Sequence, residues 1–342
     1  NGGESVKSMT DILGTCYKVE TKDYEWKPAA ECPSFEIVRE PSESGKRQYA
    51  IATKIQQREQ DAVRGKAIIQ KHGKFLVVQN PPMPPLSTEE LDQIYTLPFM
   101  RNYHPSYEAL GGVPGIEEVK FSIIHNRGCF GACNFCSLAY HQGRQISVRS
   151  HKSVIEEAKQ ITAMPDFKGY IHDVGGPTAN FRTPACDKQL KSGVCPSKRC
   201  LWPKPCPNLK ADHREYIELL EAIESLPRVK RVFIRSGIRF DYMMADKSDA
   251  FFKKLVRDHV SGQLKVAPEH CAPNVLSHMG KPNVEVYDKF REKFHKLSAQ
   301  CGKEQYLVPY LMSSHPGSTM DDAARLALYT KKIGLAPEQV QD

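Results

Sequence analysis

No stretch of the sequence approaches the roughly 18 consecutive apolar residues that a membrane-crossing helix needs, which excludes a helical transmembrane role. The start lacks the basic, apolar and small-residue order of a secretory leader, so the expected location is the cytoplasm. There is no internal repeat, no low-complexity tract and no aromatic–basic repeat of the kind that stacks single-stranded RNA. One further shortage matters most. Cys129, Cys133 and Cys136 stand within eight residues, and no fourth cysteine lies beside them. A zinc site closed by four thiolates of one loop is thereby excluded.

What is present describes a globular protein. The 342 residues are 40% hydrophobic and 26% charged, enough to bury a sizeable core. The net charge of +8 permits RNA or acidic substrates, but the charges are spread and read as a mildly basic soluble enzyme. Eleven cysteines are too many to ignore. In a chain this long without a leader, clustered thiols bind metal more often than they pair.

Residues 1–43 read as an irregular arm, and residues 44–72 as one long polar helix with Ile51, Ile55, Ala62 and Ile69 on one face. A short strand is expected over 74–80 and a helix from Ser87, where Glu90 completes a capping box. Residues 1–114 thus form an N-terminal helical or irregular extension, the remnant of a longer region. The chain opens "NGGESV" without an initiator Met and stops at "EQVQD" in mid-pattern, which reads as a fragment.

From residue 115 the pattern turns regular. Strands are expected over 118–124, 168–174, 229–235, 263–269 and 305–312, each followed by a helix, over 151–163, 212–226, 248–260, 284–298 and 319–333. Such alternation predicts an α/β fold of parallel strands with outer helices, a partial (β/α)6 barrel over 115–342. A sixth strand would begin near the last residues. Chemistry in such folds sits at the carboxyl ends of the strands, and the cysteine triplet follows the first of them.

Three thiolates can hold a four-iron four-sulfur cluster and leave one iron without a protein ligand. Gly128 and Gly131 would let the backbone approach the sulfides. The competing reading is three ordinary loop cysteines, or a zinc site completed by His125 or His141.

The order Cys129-x3-Cys133-x-Phe135-Cys136 after a first barrel strand resembles the radical S-adenosylmethionine (SAM) signature. The stretches "SVRSHKSVIEEAKQI", "FKGYIHDVGGPTANF", "PNLKADHREYIELL" and "SGIRFDYM" resemble the YgiQ-type radical SAM proteins, so the likeness covers roughly residues 35–342. Members of that family are longer at both ends. The resemblance implies a 4Fe-4S cluster on the three cysteines and SAM on its open iron, with Phe135 against the adenine. It also implies an electron donor such as flavodoxin or ferredoxin, and a 5′-deoxyadenosyl radical acting on an unknown substrate.

The same resemblance assigns the remaining site residues. Gly175 and Gly176 match the glycine-rich motif that binds the SAM amino group. Pro177 stands where the family has an acid, so backbone carbonyls would do the binding. Ser236 and Arg239 would contact the ribose or carboxylate, Arg being the natural partner of a carboxylate. Glu269 would bond ribose hydroxyls, with a partly buried ion pair as the alternative. Met312 and Ser313, with Ser314, would face the adenine end. His270 is a candidate for the substrate cavity, and His315 for a catalytic role or a structural one at a helix start.

Cys186, Cys195, Cys200 and Cys206 form a second group in a Pro- and Lys-rich insertion over 180–210. Gaps of eight, four and five residues do not match a zinc ribbon. Four thiols in a loop too polar to fold alone still suggest a metal staple, a second iron–sulfur cluster or zinc. Cys16, Cys32, Cys271 and Cys301 have no assigned role. The rival function is a cysteine-rich zinc module that binds nucleic acid, which has no need of five strand–helix units.

Overall fold

A computed structural model describes residues 3, 5–197 and 199–341. Among them, no helix is long and apolar enough to cross a membrane.

The N-terminal part is a folded sheet rather than an arm. Strands Ala67–His72 and Phe75–Gln79 form an antiparallel hairpin, and Gly73 turns it with φ +56°. Strand Cys16–Glu20 adds antiparallel to one edge of the hairpin, and Ala29–Cys32 adds parallel to the other. Alternation then sorts the side chains. Ile69, Leu76 and Val78 pack with Tyr24 on one face, while Ile68 meets Cys32 and Ala52 on the other. The two added strands were invisible in the sequence because they are only five and four residues long and carry no sustained alternation.

The expected helix over 44–72 is also corrected. It runs Glu43–Glu59, started by the Ser42 hydroxyl accepting from the Gly45 amide. It stops because acidic side chains take the next amides: Asp61 Oδ1 accepts from Val63 and Arg64, and Glu59 Oε2 accepts from Lys66 at 3.0 Å. Ile69 therefore lies in a strand. The helix from Ser87 is as expected, Thr88–Tyr95 with both arms of its capping box formed. It is tied to the core by Thr88 Oγ1 donating to the Val148 carbonyl at 2.9 Å.

The remaining chain holds short parallel strand pairs in chain order with helices packed on them, and one antiparallel pair, Asn126–Arg127 with Ser147–Val148. Ser122–Ile124 pairs with Asp173–Gly175, and Tyr170–Ile171 pairs with Arg231–Val232. Ile238 bridges Val266, and Gln263–Glu269 pairs with Tyr306–Leu311. A sixth partner begins where expected, as Gln341 bridges Met312 in parallel. The first and last strands are not paired among the described residues, so the sheet is not closed into a barrel.

Each outer helix turns one apolar stripe to this sheet. His151–Ala163 contributes Val154, Ala158 and Ile161; Arg214–Glu224 contributes Leu219, Leu220 and Ile223; Val284–Gln300 contributes Phe290 and Phe294. Each such side chain stabilises the fold by about 1.5–3 kcal/mol. Two expected elements are modified. Residues 116–119 form a helical turn before the first strand, and the third outer helix, Ala250–Lys254, ends in a π-helical turn over Leu255–His259. Short helices Asp187–Ser192, Phe240–Ala245 and Pro273–Met279 were not expected.

Asp61 joins the N-terminal sheet to the cysteine-rich insertion. Its carboxylate is buried, and Oδ2 accepts from the Val194 amide at 2.7 Å. Asp61→Ala should destabilise the chain by about 2–3 kcal/mol, since three amides lose one acceptor group. Asp61→Asn, which keeps one oxygen acceptor, should cost less. Urea unfolding checks this, and equal midpoints for the two variants would contradict it.

Candidate active site

The cysteine loop has little secondary structure of its own, so distant groups must hold it. Gly128 sits at φ +83° so close to the bend over residues 144–145 that a Cβ would lie 2.0 Å from the Gln145 carbonyl oxygen. The Cys129 amide donates to the Gly143 carbonyl at 3.1 Å. Phe130 is fully buried and stacks on Phe181 with centroids 3.7 Å apart, with Tyr242 edge-on. Ala132 adopts φ +47°, a strained angle for a residue with a Cβ. Asn134 then pins the far side, its amide donating to the Met279 carbonyl at 2.9 Å.

The three thiols open onto one region. Cys129 Sγ lies 3.5 Å from Thr178 Oγ1, and Cys133 Sγ accepts from Arg239 Nη1 at 3.2 Å. Burial pushes the Cys136 thiol up, and the neighbouring Cys133, Cys129 and Glu269 add to that rise. Among the described residues, only Glu224, Asp258 and His259 bring three metal-ligating atoms within 4.8 Å of one another. Tetrahedral zinc, with sulfur bonds of about 2.3 Å, would need the three thiols drawn closer than they stand. The Glu224 group is itself matched by Lys254, whose Nζ lies 2.9 Å from Glu224 and 3.5 Å from Asp258.

His125 cannot complete a zinc site. Arg182 Nη1 donates to its Nδ1 at 3.1 Å, so Nε2 carries the proton and donates to the Ala179 carbonyl at 2.9 Å. Burial, with Arg182 beside it, holds this ring well below the usual histidine range.

Arg239 is the one expected contact residue that points at the cysteines. Its Nε and Nη2 donate to the two oxygens of Asp241, a bidentate pair. Burial works against the Asp241 charge, but Arg239 and Lys281 outweigh it and hold the carboxyl below the usual range. Gly131 leaves room for this guanidinium: a Cβ there would lie 2.5 Å from Arg239 Nη1. The same Cβ would lie 3.3 Å from Cys129 Sγ, so the glycine gives room to both the arginine and the thiol.

Gly175 and Gly176 lie at the carboxyl end of the second strand, packed too tightly for any side chain. A Cβ on Gly175 would meet Ser236 Oγ at 2.2 Å, and one on Gly176 would meet Asn126 Oδ1 at 1.7 Å. Pro177 follows them in the turn. Asn126 was missed in the sequence. Its Nδ2 donates to the Thr178 and Phe181 carbonyls, which fixes the amide orientation. Its buried Oδ1 has no hydrogen-bond partner among the described residues. A buried acceptor left open beside two glycines suits a ligand that brings N–H donors.

The other expected residues divide. Ser236 spends its hydroxyl proton on Asp173, whose Oδ1 also accepts from the Ser236 amide at 3.1 Å, so it can only accept from a ligand. Glu269 is buried at φ +69° and lies 3.4 Å from Lys281 Nζ, the ion pair of the alternative reading. The His270 Nδ1 accepts from the Ala272 amide at 3.0 Å, and burial lowers the ring's proton affinity. Met312 packs on Val275, Leu276 and Met279, and the Ser313 amide donates to the Gln341 carbonyl at 2.6 Å. Phe135 is 36% exposed, with His315 edge-on at 6.1 Å. Ser314 is exposed at φ +54°.

Residues 1–122 match the family described as "Radical SAM N-terminal". The chain is 56% identical over 340 residues to a UPF0313 protein of Clostridium botulinum (strain Okra / Type B1), covering 99% of this chain and 52% of that protein. A UPF0313 protein of Clostridium perfringens (strain SM101 / Type A) is 54% identical over 343 residues, covering 100% and 51%. The chain thus spans about half the length of the curated relatives it matches. Among solved structures it is similar to TsrM, a radical S-adenosylmethionine methyltransferase from Kitasatospora setae. With tryptophan substrate and a SAM analog bound, that protein is 15% identical at a TM-score of 0.43, covering 80% of this chain and 45% of the other. With cobalamin and a 4Fe-4S cluster bound, it gives 0.41, covering 90% and 50%.

Removing one partner of the Arg239–Asp241 pair strands a buried charge. Arg239→Met should cost about 3–5 kcal/mol, and adding Asp241→Leu should recover most of it. Thermal unfolding of the two single variants and the double variant measures the coupling. Additive losses would show that the pair is not the unit described.

Proposed function

We propose that this chain, a radical SAM superfamily protein, is an enzyme that holds a 4Fe-4S cluster on Cys129, Cys133 and Cys136 and cleaves SAM reductively. The observation that carries this reading is the site's asymmetry. Three thiols with no fourth beside them meet a buried guanidinium at Cys133 and, at Cys129, the Thr178 turn that holds Asn126 with its unpartnered acceptor. When bound there, the cluster supplies one electron to the sulfonium, whose carbon–sulfur bond breaks to methionine and a 5′-deoxyadenosyl radical.

The chain's own residues would do the positioning. Arg239 stabilises the Cys133 thiolate by a charge-assisted hydrogen bond. Asn126 Oδ1, with the backbone at Gly175 and Gly176, accepts from the SAM ammonium. Glu269 and Ser236 offer acceptors to ribose hydroxyls, and Phe135, Met312 and Ser313 line the adenine side. The parallel strands serve as the partial barrel of a YgiQ-type protein in the cytoplasm. The electron comes from a donor of the flavodoxin or ferredoxin kind. Substrate and product belong to the whole protein and are left open.

Anaerobically reconstituted chain, given dithionite and SAM, should release methionine and 5′-deoxyadenosine in equal amounts. A variant carrying Cys129→Ala, Cys133→Ala and Cys136→Ala should release neither. Asn126→Leu should weaken SAM binding roughly ten- to a hundredfold, as expected for one lost hydrogen bond to a charged group. Product formation by the triple variant would sink the reading.

A further inference from the structure

Four thiols outside this site remain unexplained. Cys186, Cys195, Cys200 and Cys206 are all free and stand in one insertion. The Cys206 amide donates to the Cys200 carbonyl at 2.9 Å, closing a turn with a cysteine at each end. Cys186 lies at the start of helix Asp187–Ser192. Arg144 reaches from the first cysteine loop and donates to the Cys195 carbonyl at 3.1 Å. Cys200 packs against the buried cluster that contains Ala185, the neighbour of Cys186, and the Lys210 amide donates to the Ala185 carbonyl at 2.9 Å.

A loop this polar does not fold around thiols for their packing alone. It is anchored on both sides, by Asp61 at the Val194 amide and by Gln145 Nε2 donating to the Gln189 carbonyl at 3.1 Å. Its inner side is apolar: Leu201 and Ala185 are buried with Phe181, Phe130 and Cys129. The guanidinium of Arg144 supplies positive charge where bound thiolates would concentrate negative charge. No three of the four thiols lie within 4.8 Å of one another, so as folded they do not already form a closed tetrahedral thiolate site, whose sulfur bonds to zinc are about 2.3 Å.

We propose that Cys186, Cys195, Cys200 and Cys206 hold a second 4Fe-4S cluster, ligated by the chain at all four irons. Such a cluster has no open iron, so it adds no second SAM site. It staples residues 186–206 against the Cys129 loop, which the insertion also grips through Arg199 donating to Asn134 Oδ1.

The test uses the full chain. The variant lacking Cys129, Cys133 and Cys136 thiols, reconstituted with iron and sulfide, should keep about four irons and four sulfides and show a cluster Mössbauer spectrum. Its reduced electron paramagnetic resonance (EPR) signal should not change when SAM is added. Adding Cys200→Ser and Cys206→Ser should remove that iron. The parent should hold about eight irons, which keeps the test open if the triple variant fails to fold. About four irons in the parent with none in the triple variant, or zinc in place of iron, would overturn the proposal. Equal iron in parent and triple variant would instead sink the Cys129 site and leave this one standing.

Discussion

A buried guanidinium must be matched, and much of the site follows from how Arg239 is matched. Asp241 takes its fork on one side, and the Cys133 sulfur takes Nη1 on the other. This joins the end of the third strand to the loop after the first. The loop accommodates the arginine only because residue 131 is glycine. One ionic pair thereby sets where a thiol points, which backbone may pass, and where positive charge sits at the cysteines. The cost of removing either partner is high because the other is left charged and dry.

The same logic of mutual packing recurs around the mouth of the sheet. Gly176 is small so that Asn126 can stand there, and Gly175 is small so that Ser236 and Asp173 can close over it. These glycines were read in the sequence as places where a ligand approaches the backbone. The structure shows that protein groups crowd them too, and that one of those groups, Asn126 Oδ1, is left with an unfilled acceptor.

How much was legible follows from where the information lies along the chain. Strand–helix alternation is local, so the helix His151–Ala163 and the strand Gln263–Glu269 stand where their periodicity put them. The three-thiol spacing is local as well. Strands Cys16–Glu20 and Ala29–Cys32 are defined by their partners, which lie tens of residues away, and they are too short to announce themselves. Asp61 ends a helix with its side chain, a device that hydrophobic patterning does not register. Asn126 and Lys281 gain their importance from neighbours far away in the sequence, so no spacing reveals them, whereas Asp241 answers Arg239 only two residues away. Ser236 and Glu269 were placed at the right end of the sheet, but their side chains are already engaged by Asp173 and Lys281.

The central claim is that Cys129, Cys133 and Cys136 leave one iron open to SAM. The most direct measurement is the EPR spectrum of the reduced, reconstituted parent with and without SAM, using SAM labelled with 17O at the carboxylate. The account predicts a change in g-values on SAM addition and a broadening of that signal by the label, both lost when Cys133→Ala removes one ligand. A reduced cluster signal that SAM leaves untouched would contradict it.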